Sequence, residues 1–533
     1  MAKKFFVLGI GGTGMRCIES LIHLCAMGMF DDTDVHMLAL DTDINNGNFS
    51  RLKEVKDAYM KTKNTNPTNS IASKDTYFSA NLKYYQFSPN YEENSTFDSV
   101  FDYSSTKSKK PQEAEIADLM FTDDVEDFNL RHGYRAQTHL GSLMMYHSII
   151  EAAKSDTNND LKSFLTELTN AAQTHPHVFI LGSVFGGTGA SSIPIIPQAI
   201  AKAAGIVSNG SVNIADSAYF GSTLLTAYFN FKAPSQSELS KEKVIASSQK
   251  FALNSQVAMM FYDNDTTVKN TYQKFYMLGT EGMDYDPMAK DKEKITETIT
   301  GGEKQKNDSH YIELMAACAA LDFCNTDNTI LEANKQNANT EYLYRSRNDS
   351  GKLEFQDFVG GSDDALTFAK KFGTLIAFSL LCNGEDDFIS GLQDKKQGIG
   401  GFEDVDLSQI SSLKHYFELF HVKFNSDGTM EDGWLRQLYR SAGQNFLFNN
   451  DLFSPTSQKE MMKFDWSDSL YAKDGITKGK ECGGLLGGMF SNKFNSFKEK
   501  FQEVMNGSQL QATNKCEQVL KLMYDTLCAL YKF

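Results

Sequence analysis

Two short glycine clusters are the residues of this 533-residue chain best suited to chemistry. Gly9-Ile10-Gly11-Gly12-Thr13-Gly14 has the spacing GxGxxG, and Gly186-Gly187-Thr188-Gly189 repeats the device far along the chain. Glycines let a backbone approach a polyphosphate closely. Where such a cluster opens a helix, the first-turn amides, here those of Gly11 to Met15, point at the anion with the helix dipole behind them. One such turn, with Asp41 and Asp43 ending the next strand to meet a ribose hydroxyl, describes a Rossmann dinucleotide site. It also describes a tight strand–helix turn with no ligand. The second cluster separates these readings. Two turns on parallel strands can surround one polyphosphate, with the Thr188 hydroxyl and successive amides as donors. No Gly-Lys-[Ser/Thr] follows either cluster, which excludes a Walker A loop, and neither loop holds a lysine. Phosphate charge would then be met by amides, helix dipoles and Mg²⁺.

These loops need strands and helices to hold them. Residues 5–8 read as a short buried strand, 17–29 as a helix with Ile18, Leu21, Ile22 and Cys25 on one face, and 35–40 as a second strand. That order is a βαβ unit and predicts a parallel sheet. Residues 45–130 are irregular and polar, and read as long excursions around the sheet. Helices follow at 138–153 and 160–172, then a strand at 178–184 running into the second cluster and a helix at 194–204. Further strands are expected at 218–229 and 275–278, with helices at 240–261 and 311–324. The polar stretch 325–348 suggests a boundary. It leaves an α/β nucleotide-binding domain over 1–328 and a smaller, largely helical α+β domain over 329–533. In the latter, helices are expected at 364–382, 434–448, 494–505 and 510–531, and strands at 353–358 and 417–424.

With the loops placed on these elements, the sequence resembles the tubulin/FtsZ superfamily of GTPases, most closely its divergent bacterial members. The superfamily signature GGGTG[ST]G is matched at its centre by Gly186-Gly187-Thr188-Gly189, with Phe185, Ala190 and Ser191 departing from it. Its first loop, GxGGxG, resembles Gly9 to Gly14, with Arg16 where the bacterial division protein has Asn. Its Asn-Thr-Asp resembles Asp41-Thr42-Asp43. Its third loop resembles Gly133-Tyr134-Arg135-Ala136-Gln137-Thr138-His139-Leu140-Gly141. The match covers about residues 4–325, with large insertions.

The resemblance implies a Rossmann-like parallel-sheet domain binding GTP or GDP with Mg²⁺. Gly11, Gly12, Thr13, Gly14 and Met15 would wrap the α- and β-phosphates. Gly186, Gly187, Thr188, Gly189 and the adjoining Ala190 would hold the β- and γ-phosphates, and Ala136 with Gln137 would close over the γ-phosphate. Asp41 and Asp43 would act near Mg²⁺ or the ribose. Arg16 and Arg135 could add charge-assisted bonds to phosphate; a surface role is as fitting. The resemblance also implies head-to-tail self-assembly into filaments. There a neighbour's loop supplies carboxylates for hydrolysis, in a cytoskeletal or defence role. Two registers of that loop are open. In one, Asp308-Ser309-His310-Tyr311-Ile312-Glu313 is the loop, with Glu313 and His310 as the catalytic pair. In the other, favoured by strand order, 311–324 is the central helix after the sixth strand, Asn307 resembles the base-contacting Asn, and Glu313 merely starts the helix. Asn254 is a further candidate base contact. The differing classes of function are a non-hydrolysing nucleotide-sensing scaffold that recruits proteins through its C-terminal region, and an NAD(P)-dependent oxidoreductase.

Composition narrows the rest. Lys and Arg number 52 against 68 Asp and Glu, a formal charge of −16, so a nucleic-acid-coating role is not expected. Hydrophobic residues at 41% and aromatics at 12% exclude a disordered chain. The eight cysteines form no CxxC pair, and no run long enough for a signal peptide or membrane span occurs, so a cytoplasmic protein is expected.

Overall fold

A computed structural model describes residues 3–63, 75–92, 94–109, 111–127, 129–130, 133–134, 137–230, 235–236, 247–280, 302–347, 353–383, 392, 402, 411–443, 493–507 and 515–531. Its frame is a seven-stranded, all-parallel sheet in the order β3-β2-β1-β4-β5-β6-β7. The strands are β1 (Lys3–Ile10), β2 (Thr33–Leu40), β3 (Asn81–Phe87), β4 (His177–Leu181), β5 (Tyr219–Leu225), β6 (Lys274–Leu278) and β7 (Glu341–Arg345). Strands covered on both faces must be apolar on both, and β1 is: Phe5 and Val7 enter one core, Phe6, Leu8 and Ile10 the other. Period-two alternation thus feeds two separate cores from one continuous apolar run.

Helices close both faces. On one face lie α1 (Gly11–Ala26) and α2 (Gly47–Lys63). On the other lie α3 (Thr138–Lys154), α4 (Asp160–Asn170) and α5 (Ile196–Val207). After β5 comes α6 (Phe251–Asn264). α7 (Tyr311–Asn325) is the buried helix packed on β4, β5, β6 and α1, and α8 (Asn328–Gln336) follows it. The chain winds from β1 toward β3 in one direction and from β4 toward β7 in the other. β1 and β4 are therefore neighbours at the point where the winding reverses, the crevice where open parallel sheets take ligands.

Several expectations need correction. The stretch 45–130 is not merely an excursion, since it holds α2 and β3, and β3 pairs with β2 along its length. Its mixed pattern Asn-Leu-Lys-Tyr-Tyr-Gln-Phe is that of a half-covered edge strand, which a search for continuous apolar runs passes over. The seventh strand lies beyond the expected boundary at 328, so α7 and α8 are a crossover within the sheet rather than an exit from it. Residues 355–359 form a short helix instead of a strand, started by the Asp357 carboxylate accepting from the Glu354 amide at 2.8 Å. The expected strand at 417–424 splits: Ser411–Phe420 is helical, and only Val422–Phe424 is extended, paired with Met430–Asp432 in a small antiparallel ribbon.

The C-terminal region is largely helical, with Ser362–Asn383, Trp434–Ser441, Lys493–Gly507 and Lys515–Tyr531 as its other described helices. Phe368, Phe378, Trp434, Val519 and Leu527 belong to the same apolar cluster as Phe5, Ile18 and Leu21 of the sheet domain. Trp434 donates its indole N–H to Ser20 Oγ of α1 at 3.0 Å, satisfying the polar edge of a fully buried ring. Among the described residues, no helix is long and apolar enough to cross a membrane.

Candidate functional site

At the C-terminal ends of β1, β2 and β4 one cleft opens. It is lined by Gly11, Gly12, Thr13 and Arg16 from the first loop and Asp41, Asp43 and Asn46 after β2. Ser183, Phe185 and Gly186 to Gly189 follow β4, and Gly133, Tyr134, Phe229, Phe251 and Gln305 complete the wall. The two glycine clusters, remote in sequence, therefore face one space. α1 begins at Gly11 with Ile10 as its cap residue, and no side chain caps it and no acidic residue sits in its first turn. Its leading amides are left for whatever enters the cleft. Gly11 has φ of +67°, a left-handed conformation that a side chain would strain.

Not every glycine serves the cleft. A Cβ on Gly14 would lie 2.5 Å from the Leu181 carbonyl oxygen and 2.6 Å from the Gly9 carbonyl carbon, so Gly14 lets α1 close onto β1 and β4. Gly141, from the third resembling loop, is equally a packing glycine, its Cβ direction filled by Ser191 and Tyr134. Gly14, Met15 and Ala190 are not among the lining residues: Met15 is a core side chain, and the Ala190 carbonyl accepts from Tyr262 Oη.

Asp41 is the centre of the polar wall. It is 4% exposed, and its carboxylate accepts from the Thr42 amide at 2.8 Å, from Asn46 Nδ2 at 3.2 Å and from the Thr188 hydroxyl at 3.3 Å. The last bond ties the β2 end to the β4 loop. Burial, reinforced by the neighbouring Asp43 charge, pushes the Asp41 carboxyl up to about 7. Asp43 accepts from the Gly302 amide at 2.5 Å, and Asn46 also donates to Gln305 at 2.9 Å. Thr42 Oγ1 is buried beside the open Cβ direction of Gly133, with no hydrogen-bond partner among the described residues.

Arg16 is not the surface group that was one of its two expected roles. It is 3% exposed, and its Nε donates to Glu313 Oε1 at 2.6 Å and its Nη2 to Tyr228 Oη at 2.9 Å. Burial alone would disfavour the guanidinium charge, and Glu313 and Tyr228 together outweigh it, holding Arg16 protonated.

Glu313 and His310 do not form an accessible catalytic pair. Glu313 is fully buried, accepting from Arg16, from Tyr228 Oη at 2.6 Å and from the His310 amide at 3.0 Å. His310 caps α7, its Nδ1 accepting from the Ile312 amide at 3.2 Å. Burial, then the Arg16 charge, pushes the imidazole down to about 3. Both residues start the helix after the sixth strand, which is the second register. A capping box of His and Glu has the same spacing as a catalytic pair, so sequence alone leaves the two together. No cluster suited to a metal ion made of His, Cys, Asp and Glu alone occurs among the described residues.

The base-contact candidates do not line the cleft themselves but make structural bonds beside it. Asn254 donates to the Phe185 carbonyl at 3.2 Å, bracing the second loop. Asn307 is buried against Asn48, its carbonyl accepting from Arg51 Nη1 at 3.0 Å. Gln137 stands at the start of α3, its amide donating to the carbonyl of the lining residue Tyr134 at 2.7 Å, and Arg135 and Ala136 lie outside the described residues. Sequence reasoning missed Asn46, Ser183, Phe229, Phe251 and Gln305. Asn46, five residues after Asp41, was within reach of a turn-based argument, whereas Gln305 sits in a polar segment with no signal.

No family model matches the chain, and no curated protein or solved structure matches it either.

Proposed function

We propose that this chain binds a guanine nucleotide, GTP or GDP with Mg²⁺, in the cleft at the β1–β4 switch point, as a divergent tubulin/FtsZ-like protein that assembles head to tail with copies of itself. The observation that carries this reading is the convergence of both glycine loops on one cleft closed by Asp41. A dinucleotide oxidoreductase would have the same strand order but needs only the first loop. In this reading the free amides of Gly11, Gly12 and Thr13 and the Thr188 hydroxyl bind and orient phosphate oxygens. The residues fit Mg²⁺ in the way that ion is usually held, by one or two carboxylates plus the ligand's own phosphates, with Asp41 and Asp43 as the carboxylates. Such an ion would neutralise phosphate charge where no lysine is available.

The burial of Glu313 and His310 favours a second reading for the activity: a nucleotide-dependent scaffold that does not hydrolyse GTP and recruits proteins through its C-terminal helices. One experiment tests both. One portion of the purified chain is denatured and its released nucleotide identified, and a native portion is titrated with GTP, GDP, ATP and NAD. Phosphate release and light scattering are followed against protein concentration. Guanine-nucleotide binding with turnover and scattering that rise together supports the filament GTPase, and binding without turnover supports the scaffold. A bound nicotinamide sinks both.

A further inference from the structure

Arg16 has five N–H donors, and the fold uses only some of them. Nε is committed to Glu313 at 2.6 Å, and Nη2 to Tyr228 at 2.9 Å with Thr13 Oγ1 at 3.3 Å. Nη1 has no hydrogen-bond partner among the described residues, although the side chain is 97% withdrawn from solvent by the 3% exposure of its residue. It lies on the cleft side, 3.7 Å from where a Cβ on Gly12 would stand, and Arg16 is one of the lining residues. Nη1 is not one of the enclosed polar atoms of the fold: it keeps a little open surface, and Arg16 lines the cleft, so an acceptor on a ligand can reach it. Beside it are the uncapped amides of α1, which also await an acceptor. The two donor sets point to one anion.

We infer that Arg16 is a phosphate-contacting residue of this site, donating through Nη1 to a phosphate oxygen of the ligand, with Glu313 and Tyr228 as the positioning residues that fix its planar fork. This rests on the nucleotide reading above and adds to it the cation that the loops lack. The guanidinium is suited to this double duty because its donors are rigidly disposed. One edge can be anchored on a carboxylate while the other faces phosphate, which a lysine ammonium on a flexible stem cannot reproduce. Glu313, read from sequence as a catalytic candidate, acquires a different role one residue removed from the ligand.

The test compares the parent chain with Arg16→Met/Glu313→Gln, which removes the cation without leaving a buried unpaired carboxylate, and with Glu313→Gln alone. Folding is checked by circular dichroism and thermal melting. Affinities for GTP, guanosine and inorganic tripolyphosphate are read by calorimetry and by competition against a fluorescent GTP analogue. Loss of one charge-assisted bond lowers GTP and tripolyphosphate affinity by roughly 10- to 100-fold in the double variant. Guanosine affinity stays unchanged, so the GTP-to-guanosine ratio falls, which a merely structural role would not produce. Glu313→Gln lowers the same ratio by a smaller factor. A folded double variant with the parent affinities for GTP and tripolyphosphate overturns the assignment while leaving the nucleotide site standing. Equal weakening of all three ligands also overturns it. If the parent chain binds tripolyphosphate but not GTP, the nucleotide reading fails, and Arg16 is judged on tripolyphosphate alone. If it binds neither, both fall.

Discussion

The loop leaving β1 and the loop leaving β4 carry nearly the same residues, but their surroundings differ. The first is fixed from behind. Gly14 is wedged against β1 and β4, and Arg16 is locked to Glu313 and Tyr228 by bonds of 2.6 and 2.9 Å within the core. The side chains that brace the second make longer bonds and carry no ion pair, Asn254 to the Phe185 carbonyl at 3.2 Å and Thr188 to Asp41 at 3.3 Å. A Cβ on Gly186 would meet nothing nearer than Ser183 Oγ at 3.4 Å. A shared motif therefore does not imply a shared physical demand. Each loop has a glycine required by packing, Gly14 in the first and Gly189 in the second, where a Cβ would lie 2.7 Å from the Ser183 carbonyl oxygen, but the second also has a glycine with room, Gly186.

The largest effect that can break this comparison is Arg16→Met alone. It strands the Glu313 carboxylate in the core and should cost about 3–5 kcal/mol in denaturant unfolding; a loss under 1 kcal/mol would show that the first loop is not braced as described. Gly14→Ala comes next, at about 1–3 kcal/mol or more, since its Cβ meets backbone atoms that cannot move aside cheaply.

Asp41→Asn sharpens the link between the loops through its pH dependence. The buried carboxyl titrates at about 7 instead of its ordinary 3.8, so between those values the folded chain keeps a proton that the unfolded chain has released. The Asp41 contribution to stability is therefore complete below pH 4, falls as pH rises to 7 and is flat above. His310, pushed from 6.5 down to about 3, works in the opposite sense, its contribution being lost as pH falls from 6.5 toward 3. For that reason the quantity to follow is the difference between Asp41→Asn and the parent chain. Urea unfolding should show that difference moving in favour of the variant by about 1–3 kcal/mol between pH 4.5 and pH 8. A pH-independent difference would mean that Asp41 is not held neutral. The smallest effect on folding is expected at Gly186→Ala, within about 0.5–1 kcal/mol, with nucleotide affinity as the property that moves.

The parallel sheet and the cleft were largely legible because their signals are local. Buried strands such as 5–8 read as apolar runs, and glycines at strand ends mark turns. Long-range consequences were not legible. Nothing near Arg16 announces Glu313, its partner 297 residues away, and nothing near 311–324 announces that β7 follows to complete a crossover. β3 was missed because an edge strand keeps polar residues on its exposed side. The helix at 355–359 was missed because a Glu-to-Asp capping contact outweighed the β-favouring Phe residues. The cleft residues Asn46 and Gln305 are polar side chains in loops, where residue type alone does not tell a ligand contact from a solvated position.

The bond from Trp434 to Ser20 spans 414 residues. At synthesis rates of about 5–20 residues per second, that separation corresponds to roughly 20–80 s between the emergence of the first glycine helix and the arrival of the indole that packs on it. The part of α1 that Trp434 covers, around Ser20 and His23, must wait that long on a growing chain. The residues that line the cleft are all made by Gln305, so the helix that carries the first glycine motif receives its last cover well after the site's own residues are complete.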